Sequence, residues 1–234
     1  MVGLIYDIHG NATALRAVLE HADRAGATQF LLGGDYCMLG PEPAEVLALL
    51  RELPADSVWL RGNTERWLEH PDAPDIPNPI AGDACLFARA AIGSIDAKEL
   101  AELPDTLIDV PLPGAAGIVF CHASPGSDMV GFTDEPADSD GAAADSGLEA
   151  NTIVCGHTHI QFRREVGVVE VVNPGSVGFP FDENQQSAYA LLDEDGSIEL
   201  RRVDYDIERT IAAYGDHTGE WVDLAKRRLR EARP

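Results

Sequence analysis

Val2-Gly3-Leu4-Ile5-Tyr6-Asp7-Ile8-His9-Gly10-Asn11 is the stretch on which the reading of the fold turns. Residues 2–6 form a short apolar run of the length and composition of a buried strand. A carboxylate and an imidazole follow at once. From Asn11 the pattern changes period: Ala12, Leu15, Val18 and Leu19 recur at helical spacing, with Asn11 placed to cap the helix N-terminus. Working outward, residues 30–32 read as a second strand, ended by Gly33-Gly34. Residues 43–53 read as a second helix carrying Val46, Leu47, Leu49 and Leu50 on or near one face. Residues 57–60 read as a third strand, ended by Arg61-Gly62-Asn63. This β-α-β-α-β order predicts a parallel sheet with right-handed crossovers.

A proline-rich loop (Pro71, Pro74, Pro77, Pro79) leads into two expected helices, residues 83–92 and 96–103. Strands then resume at 106–110, 117–121, 152–155, 161–166, 168–172, 188–192 and 198–203. Their close spacing predicts a second, more antiparallel sheet. The tail from Ile207 carries two amphipathic helical pieces, broken near residues 215–219. One domain spanning residues 1–234 is expected. Residues 124–150, rich in Asp, Ser, Gly and Ala, read as a long acidic surface loop, since candidate site residues lie on both sides of it. Asp138, Asp140 and Glu149 match positions 1, 3 and 12 of a calcium loop. Position 6 is then Ala143, where the sharp turn needs glycine, and flanking helices are absent, so the register argues against calcium.

Forty acidic and 17 basic residues give a net charge of −23, and just two of the basic ones, Lys98 and Lys226, are lysines. Such a surface repels nucleic-acid backbones and anionic membranes, so neither general nucleic-acid binding nor membrane association is expected. It also repels an anionic substrate unless bound cations invert the local field. The same acidity suits a halophilic source, because the Debye length falls to about 3 Å at 1 M salt. Cys37, Cys85, Cys121 and Cys155 show no CxxC spacing and read as buried, reduced side chains. The N-terminus lacks the basic region and cleavage site of a signal peptide, and no stretch is apolar enough to span a bilayer, so a cytoplasmic location is expected.

Four blocks place metal-ligating side chains directly after strand-like runs: Asp7-Ile8-His9, Gly33-Gly34-Asp35, Gly62-Asn63, and His122 with Gly156-His157-Thr158-His159. Asp7 and His9, like His157 and His159, stand at i and i+2, which in extended backbone face the same way. Each block alone has an ordinary explanation as a turn, a surface histidine or a core histidine. Together they put four of the seven histidines and two aspartates at strand ends, which in an α/β sheet share one edge. His21, His70 and His217 fall outside this pattern and read as surface residues.

The ordered set D-x-H-G-N, G-G-D, G-N, an isolated histidine and G-H-x-H resembles the calcineurin-like metallophosphoesterase superfamily. Residues 33–43 (GGDYCMLGPEP) and Asn173-Pro174-Gly175-Ser176 further resemble its small bacterial and archaeal phosphodiesterase-like branch, which includes diadenosine tetraphosphatase-like members. The resemblance covers roughly residues 2–205. It implies an α/β fold, a four-layer α-β-β-α sandwich of two mixed sheets flanked by helices. It also implies two divalent cations, Mn first and Fe, Zn or Ni as alternatives. Asp7, His9 and His159 would hold one, Asn63, His122 and His157 the other, with Asp35 bridging. The implied reaction is hydrolysis of a small phosphoester or nucleotide by a metal-bridging hydroxide, in a monomer or a homo-oligomer.

One position departs from the pattern. The family usually has Gly-Asn-His followed by an acidic residue, the histidine protonating the leaving group; here the block is Gly62-Asn63-Thr64-Glu65. Threonine is no general acid near neutral pH, a role worth roughly 10²–10⁴-fold. Esters with good leaving groups are therefore expected as substrates, and Glu65, with no histidine to orient, is expected to be free for solvent or a salt bridge. Two further residues carry a catalytic expectation with an ordinary alternative beside it. Arg61 is either a phosphate clamp or the partner of a carboxylate. Asn11 is a helix cap and, by the resemblance, an orienting group beside the metals. Gly175 and Ser176 are expected to shape a turn beside the histidines. The loops at 71–79 and 124–150 are the expected seats of specificity. A non-catalytic metal-binding scaffold is the alternative function, favoured by Thr64 and opposed by the seven intact ligands. A single-metal oxygenase triad fits the paired blocks poorly.

Overall fold

Strand β1 (Val2–Ile5) is buried on both faces, which is why it reads as an unbroken apolar run. The computed structural model of the chain describes residues 1–144 and 150–234. Elements are numbered along the chain. β1 pairs in parallel with β2 (Gln29–Leu32), Ile5 standing opposite Leu32, and β2 pairs in parallel with β3 (Val58–Trp59). On its other side β1 pairs antiparallel with β9 (Ser187–Leu192), which carries β10 (Ile198–Val203), giving the order β10-β9-β1-β2-β3. The second sheet contains β4 (Thr106–Ile108), β5 (Ile118–Cys121), β6 (Thr152–Val154), β7 (Phe162–Val166) and β8 (Val169–Asn173). Their order is β4-β5-β6-β8-β7, with β5, β6 and β8 parallel and the two outer strands antiparallel.

Side-chain alternation divides the core. Leu4, Tyr6 and Leu31 point inward against Phe120, Val154 and Val172 of the second sheet. Ile5, Leu32, Tyr189 and Leu191 face outward and are covered by helices. Those helices are α1 (Ala12–Arg24), α2 (Pro43–Arg51), α3 (Asn63–Glu69), α4 (Pro79–Ala101), α6 (Ile207–Ala213) and α7 (Glu220–Glu231). The expected four-layer sandwich is present, with a thin fourth layer. The outer face of the second sheet (Val119, Cys121, Ile153, Val171) is covered by Phe132 and by the short helix α5 (Asp140–Ala144). All four cysteines are buried and free, as expected. No described helix is long and apolar enough to cross a membrane.

Two local features depart from expectation. The acidic segment is not simply a surface loop, because Phe132 within it is fully buried and Asp140 pairs with Arg164 of β7 at 2.9 Å. Its polar composition concealed one apolar anchor. Glu149 of the calcium-loop register lies outside the described residues. Helix α3 was not anticipated, since seven residues capped by a glycine carry little periodic signal. The two helices expected at 83–92 and 96–103 are present as the two halves of α4, whose helical geometry breaks between them at Gly93 (φ 84°).

The parallel strands fix the position of the site. β1, β2 and β3 lead directly into the loops that carry Asp7, Asp35 and Asn63; β5 and β6 lead into those that carry His122 and His157. All five arrive where the carboxyl edges of the two sheets meet, the usual place for ligands in α/β folds.

Phe132→Ala is expected to lower unfolding free energy by about 3–5 kcal/mol in urea titration, as for other buried phenylalanines. No loss of stability would mean that the acidic segment merely drapes over the second sheet.

Candidate metal centre

Three imidazoles are each pinned by a backbone carbonyl. His9 Nδ1 lies 3.0 Å from Met38 O, His122 Nδ1 2.9 Å from Gly33 O, and His159 Nδ1 2.7 Å from Phe179 O. A carbonyl oxygen only accepts, so each Nδ1 carries the hydrogen and donates it. Each neutral ring therefore turns a bare Nε2 lone pair inward, the arrangement typical of metal-bound histidine. His9 Nε2 and His159 Nε2 face each other at 3.0 Å, two lone pairs with no proton between them. Asp7 Oδ1 stands 3.5 Å from His159 Nε2 and 4.0 Å from His9 Nε2, is fully buried, and has no hydrogen-bond partner among the described residues. A buried carboxylate oxygen among imidazole lone pairs calls for a proton or a cation between them. Asp7, His9, Asp35 and His159 accordingly form a cluster able to hold a metal ion, all donor atoms within 4.8 Å of one another.

A second group of donors adjoins it. Asn63 Oδ1 lies 3.1 Å from both His122 Nε2 and His157 Nδ1. Asp35 stands between the groups, Oδ2 3.4 Å from His9 Nε2 and Oδ1 3.5 Å from His122 Nε2. All seven side chains expected as ligands are thus brought together. The way they converge differs from expectation. Asp7, His9, Asp35, His157 and His159 have φ of 54°, 51°, 56°, 67° and 60°, in the left-handed region rather than extended. Bends in the loops, not strand alternation, aim these residues, and such non-glycine conformations cost of order 1–3 kcal/mol each. Two glycines permit the close approach. A Cβ on Gly62 would fall 2.1 Å from Asp35 Oδ1, and one on Gly156 would fall 2.5 Å from Asp7 Oδ2.

The supporting shell is fully engaged. Glu65 is buried rather than free for solvent: Oε2 accepts from the backbone N–H of Asp35 and of Gly62, both at 2.8 Å, and Oε1 from that of Tyr36 at 2.9 Å. It fastens the Asp35 loop to the start of α3, and its position three residues after Gly62 is the one sequence signal for that role. Thr64 donates its hydroxyl to Asp35 Oδ1 at 2.8 Å and its N–H to the same oxygen at 3.1 Å. Ser176 donates to Asp7 O at 2.7 Å and accepts from Phe179 N–H at 2.8 Å, while Asn173 donates to Gly156 O at 2.9 Å. Arg66 holds Asp128 (2.9 Å) and Asp75 (2.7 Å), tying α3 to both loops beside the site.

Two expected catalytic residues are not brought to the cluster. Arg61 pairs with Asp105 at 3.0 Å, the alternative left open for it. Asn11 caps α1 by accepting from Ala14 N–H at 3.0 Å, accepts from Thr210 Oγ1 at 2.9 Å, and donates to Gly178 O at 3.0 Å. Its amide is occupied by the fold. Sequence reasoning missed Phe181, Trp67, Leu224 and Arg228, which line the cavity beside the cluster. The last two lie on α7, and nothing in their spacing says that the tail folds over the site.

Electrostatics agree with a donor set awaiting cations. Burial pushes the Asp7 carboxyl well above its usual range, with Asp35 adding to it, and pushes Asp35 up to about 6. Burial, with Asp35, raises Glu65 to about 7. Burial lowers His9 to about 3 and His157 to about 4, and lowers His122 and His159 as well. The short Asp–His contacts are therefore not ion pairs, since the rings are neutral. A bound cation favours the ionised carboxylates, so protons compete with metal at Asp35 once the pH falls through about 6. The neutral histidines add no competing proton there. Mn²⁺ affinity measured by calorimetry is expected to fall towards about tenfold per pH unit below that point, with about half a proton released from Asp35 at pH 6 and towards one at lower pH. A flat affinity from pH 5 to 7 would contradict the assignment.

The profile of the calcineurin-like phosphoesterase superfamily domain matches residues 1–197. The Methanocaldococcus jannaschii protein MJ0912 is 31% identical over 225 residues, covering 89% of each chain. The crystal structure of a metallophosphoesterase from Sphaerobacter thermophilus matches with a TM-score of 0.79 at 23% identity, over 99% of this chain and 98% of that one. The structure of PH1004 from Pyrococcus horikoshii also matches with a TM-score of 0.79 at 23% identity, over 96% and 98%. By the matched span and the 31% identity, the chain belongs to the calcineurin-like phosphoesterase superfamily.

Proposed function

We propose that this superfamily member hydrolyses small phosphoesters or nucleotides, phosphodiesters in preference to monoesters, with two divalent cations. The observation supporting this most strongly is the convergence of three carbonyl-pinned imidazoles on the partnerless Oδ1 of Asp7. In this reading Asp7, His9 and His159 hold one cation, Asn63, His122 and His157 the other, and Asp35 serves both. The all-oxygen-and-imidazole donor set suits Mn first, and also Fe, Zn or Ni. When bound, such a pair lowers the pKa of water and neutralises phosphoryl charge. The chain's own contribution is to hold seven donors rigid and to keep the imidazoles in the one tautomer that can ligate.

Thr64 sets the leaving-group preference. Its hydroxyl is spent on Asp35, and threonine cannot deliver a proton near neutral pH. Esters whose leaving group departs without protonation are then favoured. Thr64 is also the observation in favour of a non-catalytic scaffold. The fully buttressed donor set weighs against that second reading, because a decayed site has no need of left-handed backbone at five positions.

The test is a paired assay on metal-stripped protein, with bis-p-nitrophenyl phosphate and p-nitrophenyl phosphate, before and after Mn²⁺. Turnover is expected only with metal, and faster for the diester. Thr64→His is expected to raise turnover of alkyl esters relative to aryl esters by up to ~10²-fold. Stoichiometric metal binding without turnover of either ester would favour the scaffold.

A further inference from the structure

Helix α7 lies beyond the matched residues 1–197 yet forms one wall of the metal-centre cavity. It buries Trp221, Val222, Ala225 and Leu229 against the helical layer. Leu224 and Arg228, one turn apart on the adjoining stripe, face the cavity instead. The cavity has a volume of about 190 Å³. One side is the donor cluster; the other is an apolar wall that includes Met38, Leu39, Trp67, Ile80, Phe181 and Leu224.

Arg228 is half-buried and holds no carboxylate among the described residues. Arg16, Arg51, Arg66 and Arg202 each hold a carboxylate. Among the described residues none is in salt-bridge contact with Arg228, and its Nε is buried without a hydrogen-bond partner. The guanidinium lies over the Phe181 ring at 5.3 Å, and Phe181 stacks on His159 with centroids 4.4 Å apart. Burial, with Arg227 beside it, disfavours the charged guanidinium. An unpaired, half-buried cation over a cavity is satisfied by an anion entering that cavity, and its planar fork matches phosphate oxygens.

Resting on the hydrolase reading, we propose that Arg228 binds a phosphoryl oxygen of the ester held at the metal centre. The apolar wall beside it receives a compact, planar organic group of the size of an aryl ring or a nucleobase. The substrate class is then a phosphoester carrying one such group. The tail helix outside the matched region supplies Arg228 and, through Leu224, one part of the apolar wall.

The experiment measures binding of inorganic phosphate, methylphosphonate and phenylphosphonate to Mn²⁺-loaded protein by calorimetry. Metal content and melting temperature are recorded for wild type, Arg228→Met and Arg228→Lys. Arg228→Met is expected to keep its metal and to bind phosphate about 10–100-fold more weakly, as for loss of a hydrogen bond to a charged group. Arg228→Lys is expected to recover part of the loss. Phenylphosphonate is expected to bind wild type more tightly than methylphosphonate, an advantage that Leu224→Asn reduces. Unchanged phosphate affinity in Arg228→Met with a lowered melting temperature would reduce Arg228 to a brace on Phe181 and overturn the proposal. Equal affinity of wild type for the two phosphonates would overturn the apolar subsite. Metal-dependent phosphate binding without turnover of any ester would count against the hydrolase reading alone and leave the Arg228 assignment standing.

Discussion

Three hydrogen bonds from imidazole Nδ1 to backbone carbonyls, at Met38, Gly33 and Phe179, determine what the edge of this sandwich can do. Each fixes both the tautomer and the ring orientation, so that an inward lone pair replaces a rotatable donor. The carbonyls themselves must be presented at set distances, which requires the loops after β1, β2 and β6 to bend sharply. Left-handed Asp7, His9, Asp35, His157 and His159 supply those bends, and Gly62 and Gly156 leave room for the carboxylates that pass beside them. The strain is tolerable because these loops are fastened at both ends. Ser176 ties Asp7 to Phe179, and Glu65 ties the Asp35 loop to α3.

The same arrangement accounts for the charge balance of a strongly acidic chain. Asp7, Asp35 and Glu65 are buried near one another, and burial raises all three carboxyls. Glu65 is compensated by backbone N–H groups. Asp35 is partly compensated by Thr64. Asp7 Oδ1 has no compensation within the described protein. In the proposed function, bound cations would resolve this deficit locally and reverse the sign of the field for an anionic substrate. Arg228 adds a further positive group at the same mouth, in a molecule of net charge −23.

Much of this was legible in the sequence because strand ends are. The apolar run 2–6 followed by Asp7, and the glycine-bounded Asp35 and Asn63, mark the carboxyl edge of a parallel sheet; His122 and the paired His157 and His159 mark the matching edge of the second. Periodicity says where a strand stops, but not how the next residue turns. The extended i, i+2 geometry expected for both pairs was therefore replaced by left-handed backbone. Long-range contacts were equally silent. Glu65 looked idle without a histidine beside it, although its work is on backbone donors 30 residues away. Phe132 was hidden in acidic composition. Arg61 and Asn11 had two readings each from local sequence, and their partners, Asp105 and Gly178 with Thr210, lie far along the chain. Arg228 gave no signal, because only the docking of α7 brings it to the cavity.

The central claim is that the converging lone pairs and the partnerless Asp7 oxygen exist to hold cations in two adjoining groups. Anomalous diffraction from crystals of the Mn²⁺-loaded protein, recorded at the manganese edge, tests it most directly. Two peaks are predicted, one among Asp7, His9 and His159 and one among Asn63, His122 and His157, with Asp35 touching both. A single peak elsewhere on the acidic surface, or none at the junction of the two sheet edges, would contradict the account.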